Sequence, residues 1–327
     1  MINIPKTKTI ASFHPVKNPS FKWDDSGSIA LTNAIYNVIH ERIDFHRDEL
    51  LGISSVAFCN YFYHPGYNQH EEEQAVSLYS NLISNYGIVE SIAHYTGISI
   101  AEVNGLVQDE FWKLLQFEVL NGRALVSMKE DFSLIIIEGY REEEGRRHLL
   151  TQNGEQVFEE KLQGEDPIYS NWALLIRDGG PERERTSLTR QRTNLLKWVV
   201  RHGFEKKEFS QETRENYACG IHALELLTLK VGDRAFHSHF STFIEDFLVK
   251  KSAASRCLAL WSGDIAAETN IKVEPLLKRA SKSYQDIVDL SVKNVDWPTI
   301  FPKMVELERE ALASLQDAAV YFPSAFG

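Results

Sequence analysis

Residues 23–35 read WDDSGSIALTNAI, a polar and acidic segment that continues directly into an apolar pattern. Apolar side chains recur at helical spacing from Ile29 to Ile39, which predicts an amphipathic helix over about 28–42. Four residues of types favoured at helix N-caps precede or open this pattern: Asp24, Asp25, Ser26 and Ser28. A helix N-terminus offers free backbone N–H groups and partial positive charge, which can stabilise an oxyanion. The stretch therefore predicts either an ordinary capped core helix or a helix whose start takes part in chemistry.

Bulk composition is that of a globular protein. The chain has 327 residues, of which 43% are hydrophobic and 25% charged, enough for two domains or one large one. No apolar run in the sequence is long enough to cross a bilayer, and the first residues lack the apolar core of a secretory signal. The sequence therefore predicts a cytoplasmic protein without a membrane partner.

The net charge and the spacing of the cysteines limit the classes of function that the sequence supports. The formal net charge is −11, which disfavours a nucleic-acid binder and is compatible with a cationic substrate such as a polyamine. Cys59, Cys219 and Cys257 are widely spaced, so neither a metal cluster nor a disulfide framework is predicted. We expect reduced thiols in a reducing compartment and no metal site.

Hydrophobic periodicity predicts an α+β first domain. Residues 1–22 are expected to form an extended arm or edge strand. Helices are predicted over 28–42, from about 71 to 86, and as one or two helices over 98–120. Short runs rich in β-formers then predict an antiparallel meander. The strands are expected at 124–128, 133–137, 148–154 and 172–176.

The rest of the chain is predicted to be helical after a charged linker at 178–192. We divide the chain into an α+β domain at 1–178 and a helical domain at 179–327. The expected helices are 188–202, 217–230, 236–250, 253–261, 273–294 and 302–320.

Several segments resemble one known arrangement. Residues 26–31, SGSIAL, resemble the C-G-x-x-A-L helix start of papain-like and peptidase-C39-like proteins. Residues 51–58, LGISSVAF, resemble the G-hydrophobic-S-G-x-A-F segment of the butirosin-type acyl transferase family. Residues 133–140 resemble the strand that carries the histidine in such folds, and Asn153 falls where a third triad member is expected. The helical segment from Tyr217 is similar to the C-terminal region of that family.

The resemblance implies a papain/C39-like first domain and transfer of an acyl group from a carrier-protein thioester to an amine. In length, domain order and composition the chain looks closest to a subgroup of petrobactin siderophore biosynthesis. That subgroup joins a 3,4-dihydroxybenzoyl thioester to a primary amine of spermidine or its citryl derivative. The implied partners are an aryl or acyl carrier protein, whose 4'-phosphopantetheine arm bears the thioester, and a polyamine. No cofactor of the chain itself is implied.

The sequence departs from the family pattern at two positions. The cysteine position holds Ser26, and the histidine position holds Ser133. A Ser/Ser/Asn set has no general base and cannot act as a Cys-His-Asn protease. Aminolysis of a thioester does not require a covalent intermediate, because the acyl group is already activated and the amine needs only to be neutral and well placed. An amide-forming transferase can therefore tolerate these changes.

The candidate residues follow from this chemistry, and each has a structural alternative. Asp24 and Asp25 can bind an ammonium group or, for Asp25, act as base, or they can cap the helix. Ser26 can donate a hydrogen bond to the thioester carbonyl or be acylated, or it can cap the helix. Cys219 and His222 are three apart, which predicts one helix face and a nucleophile–base pair. The candidate catalytic residues are Asp25, Ser26, Cys59, Cys219 and His222, and those for substrate binding are Asp24, His64, His70, Glu71, Ser133 and Glu138.

A local basic excess in an acidic chain predicts a docking surface for an acidic carrier protein, with a solvated linker as the alternative. Its residues are Arg183, Arg185, Arg190, Arg192 and Arg201. A non-catalytic scaffold that binds a polyamine or a carrier protein, and a thiol hydrolase, remain alternative functions.

Overall fold

The structure is a computed structural model. It describes residues 5–10, 23–64, 88–103, 105–128, 134–151, 154–157, 172–179, 188–204, 209–211, 215–231, 237–293 and 296–323. The chain divides into two compact units. The first comprises Met1–Arg47 and Ile92–Arg183, and the second comprises Asp48–Ser91 and Glu184–Gly327. The sequence-based division at residue 178 differs from this one, because residues 48–91 group with the C-terminal helices.

Within the described residues, the first unit is built on a seven-stranded sheet. Its strands are β1 (Thr7–Thr9), β3 (Ser99–Val103), β4 (Leu125–Met128), β5 (Leu134–Glu143), β6 (Arg146–Thr151), β7 (Gly154–Val157) and β8 (Ala173–Arg177). The order is β3-β8-β4-β5-β6-β7, and β1 also pairs with β5. Every pairing is antiparallel. The predicted meander therefore holds for β4, β5 and β6, whereas its fourth strand, β8, pairs with β4 instead of following β6, and β7 was not predicted.

Two helices of the described part of this unit cover the sheet. Helix α1 (Trp23–Ile39) packs against β4, β5 and β8, and α4 (Gln108–Leu120) packs against β5 and β1. The apolar stripe predicted for α1 is buried, with Ala34, Ile35 and Ile39 fully inaccessible to solvent. Burial of this stripe removes apolar surface from water and fixes α1 on the middle of the sheet.

The second unit is mainly helical. Its described elements are α2 (Arg47–Ile53), β2 (Tyr61–His64), α5 (Leu188–Phe204), β9 (Phe209–Gln211), β10 (Glu215–Cys219), α6 (Gly220–Lys230), α7 (His237–Glu268), α8 (Val273–Lys293) and α9 (Trp297–Ala319). Helix α3 (Ile88–Thr96) spans the boundary between the units. Strands β2, β10 and β9 form a small sheet, and α8 packs between α7 and α9. The core contains the fully buried rings of Trp261, Tyr284 and Phe301.

The structure confirms the α+β class and the helical C-terminal region, and it corrects several local predictions. Residues 99–103 form strand β3 rather than the start of a helix. Helix α1 begins at Trp23, so the expected start at 28 is wrong. The two helices predicted over 236–261 are one continuous helix, α7, because the segment between them contains neither glycine nor proline.

Helix α9 begins at Trp297, before the predicted 302, with a proline in its first turn. Among the described residues, no helix has the length and apolar character needed to cross a membrane. The predicted helix at 71–86 lies outside the described residues.

Candidate active site in the first unit

Strand β5 changes its partner at Glu138. Residues 134–137 pair with β4, whereas residues 139–141 pair with β1. On the other side of β5, the register with β6 is irregular between Ile137 and Gly139. Glu138 therefore lies where the regular strand pairing is interrupted on both sides of β5. Its backbone oxygen accepts a hydrogen bond of 2.9 Å from the backbone N–H of Ile10. Bulged positions of this kind re-aim a side chain and occur often beside active sites.

The sequence explains how β1 can approach β5 here. A Cβ atom added to Gly139 would lie 2.5 Å from the backbone oxygen of Lys8, so only glycine allows this close pairing. The next residue, Tyr140, is fully buried and packs edge-on against the Trp112 ring of α4, with centroids 5.7 Å apart. The backbone on the C-terminal side of Glu138 is thus held from two directions.

The Glu138 carboxyl group is partly buried, and burial raises its pKa above the ordinary glutamate value. No described residue forms a hydrogen bond or an ion pair with this carboxylate. A partly buried acid that has no hydrogen-bond or ion-pair partner among the described residues is a candidate for a functional site, because buried structural carboxylates are normally paired.

A second buried carboxylate in the same unit shows the contrast. Glu118 is 1% exposed, and it accepts hydrogen bonds from Arg123 at 2.5 Å and from Arg177 at 2.6 Å. Burial alone would raise the pKa of Glu118, but the two guanidinium groups outweigh it and lower the pKa. Glu118 is a fully satisfied structural residue, whereas Glu138 has no such partner among the described residues.

Three other sequence-predicted residues of the first unit lie on α1, which packs against the strand of Glu138. Asp24, Asp25 and Ser26 fall in the first turn of α1, and Ser28 in its second. The prediction that they precede or cap the helix is wrong, because the helix already begins at Trp23. Their side chains lie outside the described residues, as does Ser133.

The cysteine and histidine candidates belong to the second unit. Cys59 is buried, and Cys219 is fully buried with its Sγ 4.0 Å from the backbone oxygen of His202. Cys219 ends strand β10 in an extended conformation and precedes α6, so it does not share a helix face with His222. The predicted i, i+3 helical pair is wrong for this reason. His222 Nδ1 lies 3.6 Å from Glu225 Oε2 on the partly exposed side of α6.

Cys219 precedes a backbone turn that the sequence pattern did not reveal. Gly220 has φ +60°, and a Cβ atom there would collide with the backbone oxygen of Gly203. Its N–H also donates to the backbone oxygen of Asn60 at 2.9 Å. The helix predicted from 217 therefore starts only at Gly220.

The predicted basic docking surface is partly wrong. Arg192 is 6% exposed, and its guanidinium group binds Glu49 at 3.0 Å and Asp264 at 2.9 Å while covering the Trp261 ring. It therefore anchors α5 inside the second unit and cannot contact a carrier protein. Arg190 and Arg201 are exposed on α5. Arg183, Arg185, His70 and Glu71 lie outside the described residues, and His64 ends β2 with its side chain likewise undescribed.

A buried ion pair in the second unit was not predicted. Lys251 Nζ lies 2.8 Å from Glu308 Oε1, and neither side chain is exposed to solvent. Asn60 Nδ2 donates to the same oxygen at 3.0 Å. A signal was present in the sequence, because Lys251 and Glu308 both fall on the apolar stripes of their helices, where the helical period calls for apolar side chains.

Chemically, the first unit offers a desolvated carboxylate on a strand against which a helix packs. Such a group can bind an ammonium ion and accept its proton. No group of histidine, cysteine and acidic residues suited to a metal ion occurs in the described part of the chain.

No protein-family model matches the chain, and a comparison with curated proteins finds no similar sequence.

Proposed function

We propose that the chain is an N-acyltransferase that moves an acyl or aryl group from a carrier-protein thioester to a primary amine. The observation that carries the proposal is the Glu138 carboxylate, which is partly buried and has no described partner. Its position on β5, the strand against which α1 packs, supports the proposal because the resemblance assigns the reacting groups to these two elements.

In the proposed reaction, Glu138 binds the substrate ammonium group and removes one proton from it. The neutral amine then attacks the thioester carbonyl, the C–N bond forms and the C–S bond breaks. The second nitrogen proton passes to the departing pantetheine sulfur, so the products are an amide and a free thiol. Backbone N–H groups at the start of α1 are proposed to stabilise the oxyanion.

The identities of the proposed acyl donor and amine acceptor follow from the family resemblance. The donor is proposed to be a 3,4-dihydroxybenzoyl group on the 4'-phosphopantetheine arm of an aryl carrier protein. The acceptor is proposed to be spermidine or a citryl derivative, whose positive charge suits an acidic chain with a net charge of −11. The reaction is proposed to take place in the cytoplasm.

The burial of the thiols favours direct transfer over an acyl-enzyme. Cys59 is 6% exposed and Cys219 is 0% exposed, and neither thiol is open to a bulky thioester. The same observation supports a second candidate, a polyamine-binding scaffold without transfer activity, and disfavours a thiol hydrolase.

A product assay tests the proposal. The chain is incubated with acyl-loaded carrier protein and spermidine, and amide is measured by mass spectrometry beside a reaction without the chain. We expect amide formation that depends on the chain and no mass increase of the chain itself. Spermidine binding without amide under saturating substrates would establish the scaffold and reject the transferase.

A further inference from the structure

Three residues of one buried cluster in the second unit each have a buried polar atom without a hydrogen-bond partner among the described residues. These atoms are Asn60 Oδ1, the Tyr284 hydroxyl oxygen and Glu308 Oε2. Tyr284 and Glu308 are fully buried, and Asn60 is 3% exposed. An unsatisfied polar group in a protein interior is costly, so buried polar atoms are normally bonded to protein or to ordered water.

These three atoms belong to residues that meet around one ammonium group. Lys251 Nζ lies 2.8 Å from Glu308 Oε1 and 5.1 Å from the centroids of the Tyr284 and Phe247 rings. Asn60 also bonds Glu308 Oε1, at 3.0 Å. The segment at residue 60 and helices α7, α8 and α9 therefore each contribute a group to one buried polar cluster.

The cluster offers matched donors and acceptors. Asn60 Oδ1 and Glu308 Oε2 accept hydrogen bonds. Burial, with the nearby Glu308 charge, raises the pKa of Tyr284 well above its usual range, so its hydroxyl stays protonated and can donate. Lys251 Nζ has at least one N–H beyond the one that Glu308 uses, whether the amine is charged or neutral. The set thus contains two acceptors and two donors.

We propose that one ordered water molecule binds in this cluster. It donates to Asn60 Oδ1 and Glu308 Oε2 and accepts from the Tyr284 hydroxyl and Lys251. A water molecule has two donors and two acceptors, which matches this set, and buried waters usually make two to four such bonds. The bound water joins elements that are far apart in the sequence.

The replacement Tyr284→Phe tests the proposal because it removes only the hydroxyl group. If the hydroxyl donates to a bound water, the variant loses a hydrogen bond and the melting temperature falls by about 2–4 °C. If the hydroxyl has no partner, its removal relieves a penalty and the melting temperature stays the same or rises. An unchanged or higher melting temperature therefore overturns the proposal.

Two tyrosine variants serve as controls for this measurement. Tyr140→Phe removes a buried hydroxyl that donates to the backbone oxygen of Pro5 at 3.1 Å, so it gives the size of one lost bond. Tyr321→Phe alters a side chain that is 38% exposed, and we expect no change. A fall for Tyr284→Phe comparable to that for Tyr140→Phe supports the water.

A crystal structure of the unaltered chain tests the site independently of any variant. We expect an isolated density peak about 2.6–3.2 Å from Asn60 Oδ1, Glu308 Oε2 and the Tyr284 hydroxyl. Direct contacts among these atoms without a peak would reject the proposal, whatever the melting temperatures show.

Discussion

Replacement of Lys251 by methionine is expected to lower the free energy of unfolding by about 3–5 kcal/mol. Methionine fills a similar volume, but the Glu308 carboxylate stays fully buried. Among the described residues, Asn60 is then the group that still donates a hydrogen bond to it. An uncompensated buried charge costs far more than an intact ion pair contributes, because the charge has lost its water without gaining an opposite charge. Urea unfolding followed by circular dichroism measures the change.

The double replacement Lys251→Met with Glu308→Leu tests that explanation. We expect it to recover most of the lost stability, because an apolar pair of similar volume replaces both charges. The matched control is Lys282→Met, which removes an exposed lysine 2.8 Å from Asp286 on α8 and should change stability little. If the double variant is no more stable than Lys251→Met alone, the loss comes from packing and the electrostatic explanation is wrong.

Replacement of Glu138 by glutamine is expected to lower kcat for amide formation by roughly 10²–10⁴-fold. Glutamine keeps the size of the side chain but cannot accept the proton of the substrate ammonium group. The matched control is Glu142→Gln on the same strand, whose side chain is also partly exposed. Steady-state rates are measured at saturating carrier protein and amine. If both variants keep the rate of the unaltered chain, the assignment of Glu138 as the base is wrong.

The pH dependence separates a catalytic role from a structural one. Because burial raises the pKa of Glu138, the unaltered chain should gain activity as pH rises through that raised value. The Glu138→Gln variant should lack this acid limb. The free energy of unfolding should change with pH in the opposite sense to activity. A carboxylate whose pKa is raised in the native state contributes most stability below its unfolded-state pKa. That contribution is lost as pH rises through the native-state pKa. At neutral pH the variant is therefore expected to be no less stable than the unaltered chain.

The sequence predicted the elements whose signal is local. The apolar stripe of α1 and the β-rich runs of β4 and β5 are confirmed, because helical and strand periods are visible within one segment. Residues 99–103 were included in the helices predicted over 98–120, but all five of them pair with β8 and form a strand. Tertiary pairing overrides local preference there.

The ion pairs of the second unit could not be predicted because the partners are distant in sequence, although the helical period marks Lys251 and Glu308 as buried positions. Arg192 looked like part of an exposed basic segment, yet its partners Glu49 and Asp264 are 143 and 72 residues away. Lys251 fell between the two helices predicted at 236–250 and 253–261, whereas its partner Glu308 lies on a different helix. Glu138 was singled out from its place near Gly139, but its raised pKa depends on burial that only the folded sheet creates.

Calorimetric titration with spermidine tests most directly whether Glu138 is where an amine binds. We predict that the unaltered chain and the Glu142→Gln variant bind spermidine with similar affinity, and that Glu138→Gln binds at least about tenfold more weakly. That factor corresponds to loss of one hydrogen bond to a charged group. Equal affinity of all three proteins, or no binding by the unaltered chain, would contradict the account.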